Sequence, residues 1–173
     1  MKNILMIIPS ERFRDEELFE TKEELEKFGH KISIASTHIG KCPGSRGGFA
    51  HSDFDINEID TDNYDSIIFV GGGGSKLLFN NEIAIKIANE MNNKRKIVAA
   101  ICLAPVILAN VGILKDKKAT VAGTEAKTIE NKGAKYTGPG VTVDGNIVTA
   151  NAPKSSRLFG QTIGKLLLDK DDK

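Results

Sequence analysis

Cys102 follows the apolar run Ile97-Val98-Ala99-Ala100-Ile101 and precedes Leu103-Ala104-Pro105. The run reads as a buried strand, and residues 104–111 read as a helix. A cysteine between them sits on a sharp turn at the carboxyl end of the strand, the edge where open α/β sheets bind ligands. Ala100 and Ala104 allow a tight turn without clash, as at the nucleophile elbow of hydrolases. Pro105 fits the first turn of the helix, where its missing N–H costs nothing. The helix dipole and unpaired amides favour a thiolate, so the thiol is expected to titrate below the ~8.5 of free cysteine. The alternative is a buried cysteine serving as a small hydrophobe.

Gly71-Gly72-Gly73-Gly74 follow a second apolar run, residues 67–70, and are expected at the same sheet edge. Glycines there let backbone N–H groups approach a ligand, forming an anion hole beside Cys102 with the Leu103 amide as second donor. A phosphate loop is a weaker reading, because the run lacks the Lys-Ser/Thr of a P-loop. A plain flexible turn remains open.

These residues must be positioned by alternating elements. Residues 3–9, 31–36, 67–70 and 97–101 read as strands. Residues 16–28, with Leu18, Leu25 and Phe28 on one stripe and Gly29 as stop, read as a helix, as do 81–92 and 104–111. Such alternation implies a mostly parallel central sheet with helices on both faces, a doubly wound α/β sandwich. Asp144-Gly145 between β-formers predicts a small C-terminal hairpin within 141–149, and residues 155–168 a closing helix capped by Ser155 or Ser156. Residues 37–56 are irregular and Gly-rich, with short antiparallel strands expected. The charged tail 169–173 is expected to fray.

The length, 173 residues, suits one domain spanning 1–173. A net charge of +1 offers no concentrated basic face for nucleic acid or a membrane surface. With Trp absent and aromatics at 6%, a base-stacking platform is not expected. No apolar run approaches the ~20 residues of a membrane span. The first, Ile4–Ile8, is too short for a signal-peptide core, so a cytoplasmic protein is expected. Two cysteines, Cys42 and Cys102, make no disulfide framework. Cys42 and His38 alone do not make a zinc site, and no metal or other cofactor is expected.

The chain resembles the DJ-1/PfpI superfamily, flavodoxin-like relatives of class I glutamine amidotransferases. Residues 99–105 look like its nucleophile motif. Ile68-Phe69-Val70-Gly71-Gly72-Gly73 looks like its strand and glycine loop. Phe13-Arg14-Asp15-Glu16-Glu17-Leu18 looks like its acidic segment, and residues 29–36 like its second strand. The resemblance implies that Cys102 is the reactive cysteine and Glu17 the glutamate that hydrogen-bonds it. It also implies that the Gly73 and Leu103 amides face the site, with Gly72 in the pocket. Arg46 matches an arginine near the dimer interface and active site of some members. A buried, protonated Glu17 would donate to a thiolate without repelling it. Asp15 and Glu16 are expected on a solvated helix face.

The family's usual Cys–His pair is not evident. Leu103 occupies one position where members carry histidine, and Gly123 aligns with another. His38 lies just past the second strand, on the Cys102 edge, placed to reach the pocket. His30 reads as structural and His51 as a surface residue. The resemblance implies a cysteine-dependent enzyme on reactive aldehydes or acyl groups, of glyoxalase, deglycase or hydrolase type, with Glu17 as acid/base. Its substrate would be a small carbonyl compound or a peptide. Two alternatives stand beside it: a redox-responsive or chaperone-like stress protein using an oxidisable Cys102, and an intracellular cysteine peptidase. A homo-oligomer is implied by the family.

Overall fold

A computed structural model describes the backbone of residues 1–171 and the side chains of 1–169. In chain order the elements are β1 (Asn3–Ile7), α1 (Asp15–Lys27), β2 (Lys31–Ser36), β3 (Gly40–Pro43), β4 (Phe49–Ser52), β5 (Phe54–Asp55), β6 (Ser66–Phe69) and α2 (Glu82–Asn93). They continue with β7 (Ile97–Ile101), α3 (Pro105–Val111), β8 (Lys118–Ala119), α4 (Ala126–Asn131), β9 (Lys135–Tyr136), β10 (Val141–Asp144), β11 (Ile147–Ala150) and α5 (Ser156–Asp171). Seven strands form one sheet in the order β10-β11-β7-β6-β1-β2-β5. All pairings in it are parallel except β10 with β11.

The strands are apolar at nearly every position because both faces are covered. Ile4, Met6, Ile68, Ala99, Ile101 and Val148 face α1 and α5, where Leu18, Leu25, Phe159 and Ile163 are buried. Leu5, Ile7, Ile67, Phe69, Val98 and Ala100 face the opposite core, filled from α2 and α3 by Ala84, Ile87, Met91, Ile107 and Leu108. The two-residue period of a strand thus sorts one sequence into two cores.

The expected C-terminal hairpin is the edge of the main sheet rather than an appendage. Its paired residues are Asp144 and Ile147, so Gly145-Asn146 make the turn, one residue later than Asp144-Gly145 suggested. Asn146 fixes that register, since its amide nitrogen donates to Lys96 O (2.8 Å) and Asn92 Oδ1 (3.0 Å). The irregular segment holds the β3–β4 hairpin. Ser156 Oγ donates to Pro153 O (2.6 Å), in a 3-10 turn that leads into α5. The tail is helical as far as Asp171, and the rest of the expected fraying lies outside the described residues.

His30 is buried between β2 and α5. Its Nδ1 accepts from Lys2 N (3.2 Å) and its Nε2 lies 3.2 Å from Gly164 O, so both ring nitrogens have partners within the fold. No helix among the described residues is long and apolar enough to cross a membrane.

Candidate active site

Strands β1, β6 and β7 are neighbours and parallel, so the segments that leave their carboxyl ends meet at one edge. The chain leaves β1 toward α1 on one side and returns to β6 on the other. That reversal opens a crevice at the edge, the usual ligand position in such sheets. Cys102 leaves β7 there with φ +64°, a left-handed conformation in a residue other than glycine. Such a backbone costs about 1–2 kcal/mol and persists only where neighbours enforce it. They do so here: Cys102 N donates to Ala150 O (2.9 Å) and its carbonyl accepts from Ala122 N (2.7 Å).

Glu17 is the third residue of α1, and its side chain is wholly buried. Oε1 accepts from Gly71 N (2.9 Å), while Oε2 has no partner at hydrogen-bond geometry. Burial pushes this carboxyl up to about 8, against downward pulls from the Cys102 thiol and the Gly71 amide. Glu17 is therefore protonated at neutral pH.

The expected lowering of the thiol is overturned. Cys102 is pushed up to about 12, first by burial, then by the Glu17 charge and by hydrogen bonding with Glu17. The Leu103 amide and Arg14 pull it down, but by less. Two features of the fold explain the reversal: α3 begins only at Pro105, three residues on, and an acid faces the sulfur. Two acids so close titrate as a pair. Burial makes each of the two hold its proton more tightly than usual, and a charge on either one raises the other further. The singly charged pair can hold a thiolate with Glu17 as hydrogen-bond donor.

The glycines have a different task from the one expected of them. A Cβ on Gly74 would lie 1.8 Å from Glu11 O, and one on Gly72 would lie 2.5 Å from Arg12 O and Arg14 N. These two admit the chain segment 11–14 against the loop. A Cβ on Gly71 would lie 2.5 Å from Glu17 Oε1 and 2.6 Å from Ile101 O. Only Gly73 faces open space, with Arg12 Nη1 at 3.6 Å from where its Cβ would be, and its amide has no acceptor among the described residues.

A cleft of about 380 Å³ is lined by Glu17, Cys102, Gly72, Gly73, Leu103 and Arg46, all singled out from sequence, together with Arg14, Ser45 and Pro153. His38 and Gly123 do not line it. His38 is exposed and its Nε2 lies 3.0 Å from Lys41 O and 3.9 Å from Cys42 Sγ, so its ring points into the β3–β4 hairpin. Gly123 is exposed in a 3-10 turn, next to Ala122, whose N–H donates to the Cys102 carbonyl. His51 is exposed on β4. None of the three imidazoles lines the cleft. Cys42 is buried and unpaired, and its thiol is pushed up by burial. No group of three or more His, Cys, Asp or Glu among the described residues is arranged for a metal.

Asp15 is not a solvated residue. Its Oδ1 accepts from Arg46 N (3.0 Å) and its Oδ2 from Gly48 N (2.8 Å), and Ser45 N donates to Phe13 O (2.8 Å). One carboxylate thereby holds the hairpin tip that carries Ser45 and Arg46 into the cleft. Charge-assisted bonds of this kind contribute about 1.5–3 kcal/mol each. In Asp15→Ala the amides of Arg46 and Gly48 are expected to exchange with deuterium at least about tenfold faster, with the sheet unaffected. Unchanged protection at both amides would contradict this role.

The DJ-1/PfpI family model matches residues 2–166 of the chain. A protein of Methanocaldococcus jannaschii described as uncharacterized is 45% identical over 96% of this chain and 84% of its own. A deglycase of Thermococcus kodakarensis is 32% identical over 94% of this chain and 98% of its own. The crystal structure of a ThiJ/PfpI domain protein from Brachyspira murdochii superposes with a TM-score of 0.94 at 35% identity, over 96% of each chain.

Proposed function

The chain belongs to the DJ-1/PfpI family, and from that premise we propose that it is a cysteine-dependent enzyme of deglycase or glyoxalase type acting on reactive aldehydes and their adducts. The observation that carries the reading is Cys102, held in a left-handed turn at the cleft beside a buried glutamic acid. The thermococcal relative's description as a deglycase supports the same class.

On methylglyoxal, the Cys102 sulfur adds to the aldehyde carbon. The S–C bond forms, the carbonyl π pair moves to oxygen, the thiol proton goes to solvent, and the alkoxide takes the proton of Glu17, whose carboxylate is then ready to accept the C1 proton. The Gly73 and Leu103 amides are proposed to hold that oxygen while it is negative. Glu17 then carries the C1 proton to C2 through an enediol, leaving a lactoyl thioester. Water cleaves the thioester to lactate and returns the thiol, so the sum is methylglyoxal plus water giving lactate. On a glycated amine, the sulfur forms an S–C bond at the carbinol carbon as the C–N bond breaks, the amine leaves with the proton of Glu17, and the same hemithioacetal results. Without an imidazole in the cleft, Glu17 is the one acid/base the route uses.

Incubation with methylglyoxal is expected to yield lactate with wild-type protein, and Cys102→Ala to reduce the rate to that of buffer. Equal lactate from both chains would remove Cys102 from the chemistry. No lactate from the wild type, and no release of amine from methylglyoxal-treated N-acetyl-lysine, would remove the enzymatic reading.

One observation favours a second reading, a redox-responsive thiol: Glu17 Oε2 has no partner and would donate to an oxidised sulfur. Catalytic silence together with a gain of two oxygens on Cys102 under mild peroxide would favour it. A peptidase ranks below both, because an amide carbonyl is a far poorer electrophile than an aldehyde and calls for a thiol activated by an adjacent base, and none of the three histidines lines the cleft.

A further inference from the structure

Methylglyoxal is uncharged, yet the cleft is built for charge. Arg14 and Arg46 both line it. Arg14 uses Nε (2.9 Å) and Nη2 (2.8 Å) on the single Glu16 oxygen Oε2, so its Nη1 has no partner among the described residues. The Arg46 side chain has no carboxylate within ion-pair distance among the described residues; its backbone, not its guanidinium, is what Asp15 holds. A third guanidinium, Arg12, borders Gly73, and its nearest carboxylate, Glu11, stands off at 3.9 Å.

The acidic groups nearby already have partners: Glu16 Oε2 is bonded by Arg14 Nε and Nη2, both Asp15 oxygens accept from hairpin amides, and Glu17 keeps its proton at neutral pH, so Arg14 Nη1 and the Arg46 guanidinium are the donors the cleft presents to a ligand. The Gly73 amide adds a further donor. At about 380 Å³ the cleft also has the size of a small-molecule site, more than a three-carbon dicarbonyl fills.

We propose that Arg14 and Arg46, with Arg12 at the rim, form an anion subsite beside Cys102, so that the carbonyl compounds this chain takes carry a carboxylate or phosphate group. The subsite rests on the reading of Cys102 as the nucleophile of this cleft, but not on turnover. Guanidinium forks match both oxyanions bidentately, which makes Arg46 a specificity residue for charge.

Two alkylating agents that differ in one group test this without any turnover. Iodoacetate and iodoacetamide react alike: the sulfur displaces iodide, an S–C bond forms, the C–I bond breaks, and the thiol proton goes to buffer. The rate of each is followed by mass on the peptide carrying Cys102, and the ratio iodoacetate to iodoacetamide is compared with that of N-acetylcysteine. The protein's ratio is expected to exceed that of the free thiol by about tenfold or more, and to fall with added salt. Arg46→Gln, at an exposed hairpin tip, is expected to bring it most of the way back, and Arg14→Gln part of the way. Protection from iodoacetate by inorganic phosphate at concentrations where acetate gives none would assign the subsite to phosphate; the reverse would assign it to carboxylate.

A wild-type ratio equal to that of the free thiol would overturn the subsite, as would a raised ratio that neither arginine change lowers. Absence of both lactate and amine release while the raised ratio persists would instead remove methylglyoxal and its adducts as substrates and leave the subsite standing.

Discussion

Glu17→Gln is expected to make the chain more stable and the enzyme worse. Gln fills the same buried space but has no proton to lose. The wild-type carboxyl titrates near 8 in the folded chain, against 4.5 as its ordinary value. Between these values the unfolded chain has released a proton that the folded chain keeps. The unfolded state therefore binds fewer protons, and stability falls as pH rises, by about 1.4 kcal/mol per pH unit. This contribution is whole below about 4.5 and spent by about 8. At pH 8 the variant is thus expected to exceed wild type by several kcal/mol, read as a higher Tm, and to match it near pH 4.5. Equal Tm at pH 8 would mean the carboxyl ionises freely where it stands.

The same change removes the group proposed as acid/base. Lactate formation is expected to drop by about 10²–10⁴-fold. Alkylation of Cys102 at pH 9 is nevertheless expected to rise by about tenfold, because two of the three influences holding the thiol up originate in Glu17. Slower turnover with a more reactive thiol separates a proton carrier from a residue that merely raises nucleophilicity. A parallel fall in both would assign Glu17 the latter role.

Gly74→Ala is expected to be the most damaging single methyl in the chain. Its Cβ would stand 1.8 Å from Glu11 O, with Glu11 C at 2.9 Å and Pro9 Cβ at 3.0 Å, none of them the end of a flexible side chain. Backbone must move, costing about 3 kcal/mol. The segment displaced is the one that carries Arg12 and Arg14, and it opens into the turn of α1 that holds Glu17. Denaturant midpoint and lactate formation are expected to fall together. Gly73→Ala, with no heavy atom closer than 3.6 Å, is expected to keep its midpoint, so the pair isolates packing from the mere loss of glycine. Equal midpoints for the two variants would contradict this packing role.

The elbow was legible because its determinants are local. A strand that ends in Ile101-Cys102-Leu103-Ala104-Pro105 leaves little choice of geometry, and the two cores follow from alternating residues along β1, β6 and β7. Glu17 was another matter. Nothing in Asp15-Glu16-Glu17 distinguishes the buried carboxyl from its neighbours, and only the family resemblance singled it out. Asp15 was misread because the amides it binds lie some thirty residues away, on a hairpin whose docking no local pattern reveals. Arg14 gave one signal, its place at the start of α1 three residues before Glu17, but charge beside charge there reads as surface. The glycine run suggested ligand contact, whereas two of its members are in fact required by an approaching backbone. His38 sat on the correct edge in the sequence order and still turned away, because Lys41 O offers its ring a partner within the hairpin.

The turn at Cys102 sets activity against durability. A left-handed backbone pinned on both sides by Ala150 and Ala122 suits an achiral residue better than any other. Chains selected only for surviving heat would thus tend to fill this position with glycine and emerge inert. A thermostability screen of this chain has to score turnover at every round.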